Sequence, residues 1–561
     1  MRKWWKEAVG YQIYPKSFYD ANGDGVGDIR GIIEKLDYLQ DLGVNLLWLC
    51  PVYKSPMDDN GYDVSDYYGI APEFGTMDDF RELLQEAKER NIKIIMDLVL
   101  NHTSDEHPWF QAACQESSPY RDFYIWHPGK PGGKEPNNWG SFFTPSCWEW
   151  HEPSQKFYMH IFSKKMPDLN WRHRPMREKL YEMARWWLDL GVDGFRVDAV
   201  AHLERQWDLA DSSKSGHGPY REDWGKFSNL PKVHEYLREM HEEVFSKYDI
   251  VTVGEVGGDA GIDAALNYAG PGSNQLDMVF TFDHCWMNRG WNSYESGWHN
   301  RTDLYWLKQT FKKWQTGLYG KAWNPLYWLN HDHPRVMSQY GDPENFPKES
   351  GKMLATALMF MWGTPFIYNG EEIGMTNPNY EELSDYKDQS TMEKAQRLLD
   401  AGHDPKLVKR YIQTTSRDNS RTPMQWDDGA GGGFGSQTPW IKMNPNYKQV
   451  NAKQQILDKD SLYHYYKKLI ALRRASHYKD VMVYGDFALF DEFHPNIFAF
   501  TRHYQGMTLL VACNFFAETA YLGLGPLALK EEVASNYPDA NVYEGTLCLR
   551  PYEAVVYELK N

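Results

Sequence analysis

Short apolar runs alternate with longer amphipathic segments along most of the chain. Runs rich in β-branched and aromatic residues predict strands, and segments with apolar residues three or four positions apart predict helices. The predicted strands are residues 10–14, 45–50, 93–100, 194–200, 250–255, 278–282, 325–330 and 365–368. The predicted helices are residues 32–42, 77–90, 176–190, 233–248, 303–316 and 348–361. Eight strands that alternate with helices favour an α/β fold, a (β/α)8 TIM barrel of parallel strands.

Two parts of the chain depart from a bare barrel. Residues 102–171 follow the third predicted strand, and they are rich in Pro, Gly, Asn and Trp and too long for an ordinary connection. We predict that they form a subdomain inserted after strand 3. Over residues 479–561 the pattern changes to strands and turns, which predicts a C-terminal antiparallel β domain with a β-sandwich fold. The barrel then comprises residues 1–101 and 172–478.

Charged and histidine side chains follow the carboxyl ends of four predicted strands. The segments are DLVLNH at 97–102, RVDAVAH at 196–202, GE at 254–255 and NHD at 330–332. The period of a strand puts Arg196 and Asp198 on one face, and burying two charges costs several kcal/mol unless they are paired or used. A structural ion pair and a catalytic carboxylate kept ionised by its arginine both fit this segment alone. Because active-site groups of such barrels gather at the carboxyl ends of strands, the four segments together favour catalysis.

Composition narrows the class of function. The formal net charge is −17 with acidic and basic residues interspersed, which argues against nucleic acid or an anionic membrane surface as a partner. An aromatic content of 15% suits a small neutral oligosaccharide substrate, because aromatic rings stack on sugar faces. The sequence has no GxSxG, Walker A, GxGxxG or HExxH motif. Carboxylates with His and Arg but no cofactor motif suit cleavage of a glycosidic bond.

The cysteines bear on the compartment. The six are scattered without a CxxC pair, and the chain begins without an apolar signal segment. We therefore expect reduced thiols and a cytoplasmic location. The oligomeric state is not predicted by any feature of the sequence.

The four strand-end segments, taken in this order, resemble the signature regions of the α-amylase family of glycoside hydrolases over essentially the whole chain. Three further segments, QIYPKSF at 12–18, DNGYD at 59–63 and RDNSRTPMQW at 417–426, resemble its exo-acting α-glucosidase and oligo-1,6-glucosidase branch. The resemblance implies that Asp198 is the nucleophile and that Glu255 is the general acid and then the base. Asp332 would be a third carboxylate that holds sugar hydroxyls. Retaining chemistry of this kind needs the first two carboxyl groups about 5–5.5 Å apart.

The resemblance also implies a set of sugar contacts. The expected residues are Asp59, Tyr62, His102, Phe143, Phe162, Arg196, His331 and Arg421. Arg196 would keep the nucleophile ionised, and His102 and His331 would donate hydrogen bonds to the sugar at the cleavage point. Tyr62 would stack against the terminal glucose.

The far end of the sugar site decides whether the enzyme is exo-acting. Asp59 and Arg421 are expected to hold the outer hydroxyls of the terminal glucose and to close the site there. Arg417, four residues earlier, is the alternative, and we expect it to support this loop instead. Phe143 and Phe162 in the inserted segment either form a wall on the leaving-group side or belong to the core of the subdomain.

The segment DANGDGVGD at 20–28 carries oxygen ligands at alternate positions, as in the first half of a calcium loop. The predicted ligands are the side chains of Asp20, Asn22, Asp24 and Asp28 and the carbonyl of Val26. It resembles the structural Ca²⁺ site of this branch, and Mg²⁺ is a second candidate ion. An acidic turn without an ion is the alternative.

Ala199 carries the predicted choice of linkage. Members of the branch that are specific for α-1,6 bonds typically have Val after the nucleophile, and they have QPDLN where this chain has MPDLN at 166–170. A smaller side chain leaves room for the differently directed α-1,4 aglycone, although lost methyl groups change discrimination by only about 1–3 kcal/mol. We therefore predict a retaining exo-acting α-glucosidase that favours maltose and short α-1,4-linked oligosaccharides.

Several alternatives stay open. Within the family they are an oligo-1,6-glucosidase, a sucrose-active α-glucosidase and a transglucosidase. No arginine-rich loop follows Phe282, which disfavours sucrose isomerisation, and no phosphate-binding segment is visible for trehalose-6-phosphate hydrolysis. A non-catalytic sugar-binding relative is the alternative from a different class, and such relatives typically lose a member of the carboxylate triad.

Overall fold

All eight predicted barrel strands are present in the computed structural model, which describes residues 2–216, 218–258, 260–287, 302–539 and 541–560. They are Gly10–Ile13, Leu46–Leu49, Lys93–Val99, Gly194–Asp198, Val251–Glu255, Met278–Phe280, Pro325–Leu326 and Thr364–Tyr368. Numbered one to eight along the chain, they form one sheet in the order six, five, four, three, two, one, eight, seven. Strands three, four, five and six pair in parallel, as do strands one, eight and seven. The predicted (β/α)8 barrel is confirmed.

Two elements of the barrel differ from their predictions. The seventh strand spans two residues although 325–329 is a continuous apolar run. Residues 327–329 are buried but lie outside the strand. The predicted helix 32–42 is two helices, Ile29–Glu34 and Leu36–Leu42, separated at Lys35. Asp28 caps the first by accepting a hydrogen bond from the amide of Gly31, which satisfies a free helix N–H group.

Helices follow or separate the strands throughout. The α-helices are Ile29–Glu34, Leu36–Leu42, Met77–Glu89, Pro108–Ala113, Arg174–Leu190, Val233–Glu243, Ile262–Ala269, Leu304–Leu318, Val336–Gln339, Pro347–Phe360, Gln389–Asp400, Pro405–Thr415, Asp418–Arg421, Ala452–Leu457, Leu462–Ala475 and Lys479–Tyr484. Among the described residues, no helix combines the length and apolar character that a membrane span requires.

The chain divides into two compact units. The first unit consists of Met1–Leu47, Glu86–Ile92 and Phe282–Asn561, and the second of Trp48–Gln85 and Lys93–Thr281. The first unit contains strands one, seven and eight and the C-terminal strands, and the second contains strands three to six and the segment after strand three. The predicted domain boundaries stay predictions.

The segment after strand three has a sheet and a core of its own. Its antiparallel strands are Trp126–His127, Lys156–Met159 and Trp148–His151, in that spatial order. The buried residues around them include Trp139, Cys147 and Met159. A separate hairpin of Tyr53–Lys54 and Asp66–Ile70 follows strand two.

The C-terminal region contains two antiparallel sheets. One has strands Ala488–Phe490, Ile497–Tyr504, Met507–Asn514, Ala554–Leu559 and Leu529–Ser535, and the other has Ala520–Gly523, Thr546–Leu549 and Asn541–Tyr543. Leu510 and Val555 of the larger sheet share one apolar core with Leu522 and Leu547 of the smaller. The predicted antiparallel C-terminal region is confirmed, and the shared core is what two packed sheets of a β-sandwich would have, which stays a prediction.

Candidate active site

The side chain of Arg196 joins three carboxylates. Strand four ends at Asp198 and its neighbour strand five ends at Glu255, so both acids lie at carboxyl ends of adjacent strands. Nη1 of Arg196 donates to Oδ1 of Asp198 at 2.7 Å and also to Oδ1 of Asp97, and Nη2 donates to Glu255. Arg196 is only 1% exposed. The buried pair that the sequence suggested is therefore part of a larger charged group.

Asp97 is the member of this group to which the sequence analysis assigned no role. It lies on strand three directly opposite Arg196. Its Oδ2 accepts hydrogen bonds from Nε1 of Trp48 at 2.7 Å and from the hydroxyl of Tyr62 at 3.3 Å. Burial raises the pKa of Asp97 to about 6, and the Arg196 guanidinium works against that rise. Its position on strand three, opposite Arg196 on strand four, was the signal from which its role could have been predicted.

The backbone bends sharply after the nucleophile candidate. Ala199 has φ 44° and ψ 33°, a left-handed conformation, and it is buried. A residue with a Cβ pays roughly 1–2 kcal/mol there. The predicted strand 194–200 therefore ends at Asp198. The linkage prediction weighed only the volume of Ala199 and not this backbone constraint.

The turn that carries Asp59 and Tyr62 is organised by Asp63. The buried carboxylate of Asp63 accepts hydrogen bonds from the amides of Asp58 at 2.8 Å and Asp59 at 3.0 Å and from the hydroxyl of Ser55. Burial raises the pKa of Asp63 to about 6. Tyr62 is buried, and its ring lies 6.0 Å from the guanidinium carbon of Arg196.

His102 has protein partners at both ring nitrogens. Nε2 lies 3.2 Å from the carbonyl oxygen of Tyr62, and Nδ1 lies 3.2 Å from Nδ2 of Asn101. Because a carbonyl only accepts, Nε2 carries the proton. Burial lowers the pKa of His102 to about 4, so the ring is neutral near pH 7. Its predicted donation to a sugar hydroxyl stays a prediction.

Asp332 belongs to a second charged group, which lies in the first unit. Its carboxylate receives Nη2 of Arg421 at 2.9 Å and Nη1 of Arg417 at 3.2 Å on Oδ1, and Nε2 of His331 at 3.1 Å on Oδ2. The amide of Gln12 donates to Nδ1 of His331 at 2.9 Å, so the histidine proton lies on Nε2 and points to Asp332. Burial works to raise the pKa of Asp332, but these three neighbours hold it well below its ordinary value.

The two arginines of this group differ in exposure. Arg421 is 1% exposed and also donates from Nε to the carbonyl of His331. The side chain of Arg417 is 19% exposed and binds Asp388 through Nε and Nη2, at 3.0 and 2.6 Å. The buried Arg421 supports Asp332, whereas Arg417 presents the more accessible guanidinium. The prediction from sequence has Arg421 as the sugar ligand and Arg417 as the support of the loop, and it stays a prediction.

The two phenylalanines of the inserted segment differ as well. Phe162 packs against the core of that segment, stacks on Phe142 with a ring distance of 5.2 Å, and contacts the ring of His102 edge-on at 5.3 Å. Phe143 lies 5.4 Å from Phe162 and is half-buried. Phe162 fits the core alternative, and the wall role of Phe143 stays a prediction.

The carboxylates predicted as metal ligands at residues 20–28 hold their own turn together by hydrogen bonds. Asp20 and Asp28 are buried, and their carboxylates accept hydrogen bonds from backbone amides, including Gly23 at 2.7 Å and Ala21 at 3.1 Å. Burial raises the pKa of Asp28, and the nearby Asp20 adds to the rise. Ca²⁺ or Mg²⁺ at this loop stays a prediction, because the acids that lie close enough together to share an ion among the described residues do not include Asp20, Asp24 or Asp28. The residues would brace the loop through such an ion.

Two carboxylates on neighbouring strand ends of a (β/α)8 barrel, joined by one buried arginine, define a glycoside hydrolase. The model described as "Alpha amylase, catalytic domain" matches residues 12–485, and the chain belongs to this family. It is 49% identical to an oligo-1,6-glucosidase of Parageobacillus thermoglucosidasius, over 100% of this chain and 99% of that protein.

Solved structures of relatives match along their full length. A variant of trehalose-6-phosphate hydrolase from Bacillus licheniformis has a TM-score of 0.93 at 42% identity, with 100% of both chains covered. The isomaltulose synthase SmuA from Protaminobacter rubrum has a TM-score of 0.94 at 36% identity, also with 100% of both chains covered. A hydrolase and a synthase thus share nearly the same scaffold. Most of the segment after Phe282, which the sequence analysis used against isomerisation, lies outside the described residues.

Proposed function

We propose that this chain is a retaining, exo-acting α-glucosidase that releases glucose from the non-reducing end of short α-1,6-linked glucosides. The observation that carries the proposal is the pair of acids at adjacent strand ends, Asp198 and Glu255, bound to the one guanidinium of Arg196. The high identity to an oligo-1,6-glucosidase over the full chain supports the choice of bond. This favours the alternative over the α-1,4 preference predicted from Ala199.

The two acids take complementary parts in a double displacement. Asp198, kept ionised by Arg196, attacks C1 of the terminal glucose while the proton of Glu255 passes to the departing glycosidic oxygen. The bond from C1 to that oxygen breaks, and a covalent glucosyl–enzyme ester forms. Glu255, now ionised, takes a proton from water, whose oxygen attacks C1 and releases Asp198. Two inversions return glucose in the α configuration.

Asp332 is assigned to sugar hydroxyls. Its ionised carboxylate can only accept hydrogen bonds, and the hydroxyls of a glucose ring are donors. Arg417 is a better candidate for a second sugar contact than Arg421, because its guanidinium is more exposed. Arg421 then holds Asp332 in place. Asp59 and Tyr62 keep their assignment to the terminal glucose.

A structural cation and a cytoplasmic location complete the proposal. Asp20, Asn22, Asp24 and Asp28 with the carbonyl of Val26 would hold Ca²⁺, or Mg²⁺, and the ion would stiffen the loop without entering the chemistry. None of the six cysteines forms a disulfide, which supports the reducing compartment expected from their spacing.

Product analysis tests the reaction and the bond together. Anomer-resolved NMR on isomaltose, maltose, sucrose and trehalose 6-phosphate should show α-glucose as the first product and the highest kcat/KM for isomaltose. A higher kcat/KM for maltose would restore the α-1,4 prediction, and β-glucose as first product would refute retention. Preferred cleavage of trehalose 6-phosphate would move the chain to that branch of the family.

The roles of the two acids have a direct test. Asp198→Asn and Glu255→Gln should each remove nearly all turnover while the Tm stays within a few degrees of the wild-type value. The fold should tolerate either change, because Arg196 keeps Asp97 and the remaining acid as partners. Turnover close to that of the wild type in either variant contradicts its assigned role.

A further inference from the structure

We propose that Asp97 is a positioning residue for the proposed reaction: it anchors the guanidinium of Arg196 so that one end faces Asp198 and the other faces Glu255. The inference rests on the proposed function, because it concerns the same two acids. Asp97 does not act on the sugar. It acts through Arg196, which lies opposite it on the neighbouring strand four and donates a hydrogen bond to it.

The hydrogen bonds of Arg196 explain why an anchor is needed. Nε of Arg196 is buried and finds no hydrogen-bond acceptor among the described residues. The orientation of the guanidinium therefore depends on its two terminal nitrogens. Nη1 is shared between Asp97 and Asp198, and Nη2 binds Glu255. Without Asp97, the carboxylate partners that Arg196 keeps among the described residues are the two groups that must change charge or bonding during the reaction.

Asp97 is the fixed member of the three. Its side chain is 0% exposed, whereas those of Asp198 and Glu255 are 12% and 21% exposed. Its other oxygen accepts from Trp48 and Tyr62, and its backbone carbonyl accepts from the hydroxyl of Tyr53 at 2.7 Å. A carboxylate held this way cannot follow the arginine if the arginine moves. It therefore defines where the guanidinium sits.

The charge of Asp97 also acts on its neighbours. The titratable and charged groups that face it are Arg196, Asp198, Glu255, Tyr62 and Tyr53. A buried negative charge opposes the ionisation of nearby carboxyl groups. Asp97 shares the guanidinium of Arg196 with both acids, so its charge is part of their electrostatic surroundings. That charge is lost in an asparagine variant.

Asp97→Asn tests the inference with little change in shape. We expect kcat to fall about 10- to 100-fold, the cost of a small misplacement of reacting groups, with KM within about threefold of wild type. Both limbs of the pH profile of kcat/KM should move to lower pH. Asp193→Asn is the matched control, because Asp193 joins strands three and four at their other ends through Lys93 and the amide of Ile94. Its profile should stay where the wild type has it.

Trp48→Phe is a second test that does not depend on whether Asp97→Asn folds. It removes one hydrogen bond from Asp97 and leaves the charge in place, so kcat should fall by about threefold and the profile should shift in the same direction by less. An unshifted profile in both Asp97→Asn and Trp48→Phe, with an active wild type, overturns the inference and leaves the proposed function standing. A wild-type chain without activity on any α-glucoside overturns both.

Discussion

The substitution Asp388→Asn probes the charge that organises the two arginines beside Asp332. Asp388 is buried, and its Oδ1 accepts hydrogen bonds from Nε and Nη2 of Arg417 at 3.0 and 2.6 Å. Nη1 of Arg421 lies 3.7 Å from the same oxygen. Oδ2 caps the helix Gln389–Asp400 by accepting from the amide of Thr391 at 2.9 Å. Asparagine keeps one oxygen as an acceptor for the cap, but it removes the charge and turns an NH2 group, which cannot accept, towards Arg417.

The expected loss of stability follows from burial. Removing one partner of a buried ion pair costs about 3–5 kcal/mol, because the other charge stays buried without compensation. The buried Asp418 repels Asp388, and relief of that repulsion moves the expected value to the lower end, about 3 kcal/mol. Asp388→Ala also loses the helix cap and should cost about 1 kcal/mol more. Because Arg417 loses the carboxylate that holds it beside Asp332, kcat/KM should fall by about tenfold.

Urea unfolding at pH 7, followed by circular dichroism, measures these values. The matched control is Asp404→Asn, because Asp404 caps the helix Pro405–Thr415 through the amide of Lys406 at 2.9 Å but is exposed. The control should lose under about 1 kcal/mol. The pKa of Asp388 is depressed, so its contribution is present above the ordinary pKa of an aspartate and is lost as the pH falls through the native value. Equal losses in Asp388→Asn and Asp404→Asn would refute the reasoning.

Two further predictions concern the bend after the nucleophile and the acidic loop. Ala199→Val puts a β-branched residue at φ 44°, so it should cost about 1–3 kcal/mol of stability and raise the isomaltose-to-maltose ratio of kcat/KM. Ala199→Gly is the control and should be no less stable than the wild type. An unchanged ratio in the valine variant contradicts a role of this residue in linkage preference. Added Ca²⁺ should raise the Tm of the wild type but not that of Asp20→Ala. At a hundredfold excess over Kd, the free energy of unfolding of the wild type should rise by about 2.7 kcal/mol. An equal rise in both proteins would contradict the loop as the site.

The barrel was accessible from sequence because parallel strands buried on both faces appear as apolar runs separated by amphipathic helices. The details that failed have local causes. The apolar run at 325–329 reports burial and not pairing, so it overstates the seventh strand. The interruption at Lys35 has no glycine or proline to mark it. The left-handed bend at Ala199 also has no sequence signal, because alanine is common in every regular conformation.

The candidate site was accessible where motif and topology agree. Asp198 and Glu255 were found at strand ends because the carboxyl ends of parallel strands form one functional edge. Asp97 and Asp388 were missed as members because their partners are remote in the chain: Asp97 meets Arg196 across 99 positions, and Asp388 meets Arg417 across 29. The exposure that separates Arg417 from Arg421 is a property of packing, and two arginines four residues apart give no sequence signal for it.

The single guanidinium of Arg196 has a consequence for how this chain can change over generations. Three acids depend on one cation, so the effect of substituting any one of them is set by the state of the other two. The effect of a single substitution at one of these positions depends strongly on the residues at the others. New specificities therefore have to arise elsewhere in the chain. Laboratory evolution of this enzyme for another sugar bond should therefore accumulate its changes in the surrounding loops and leave the four charged residues untouched.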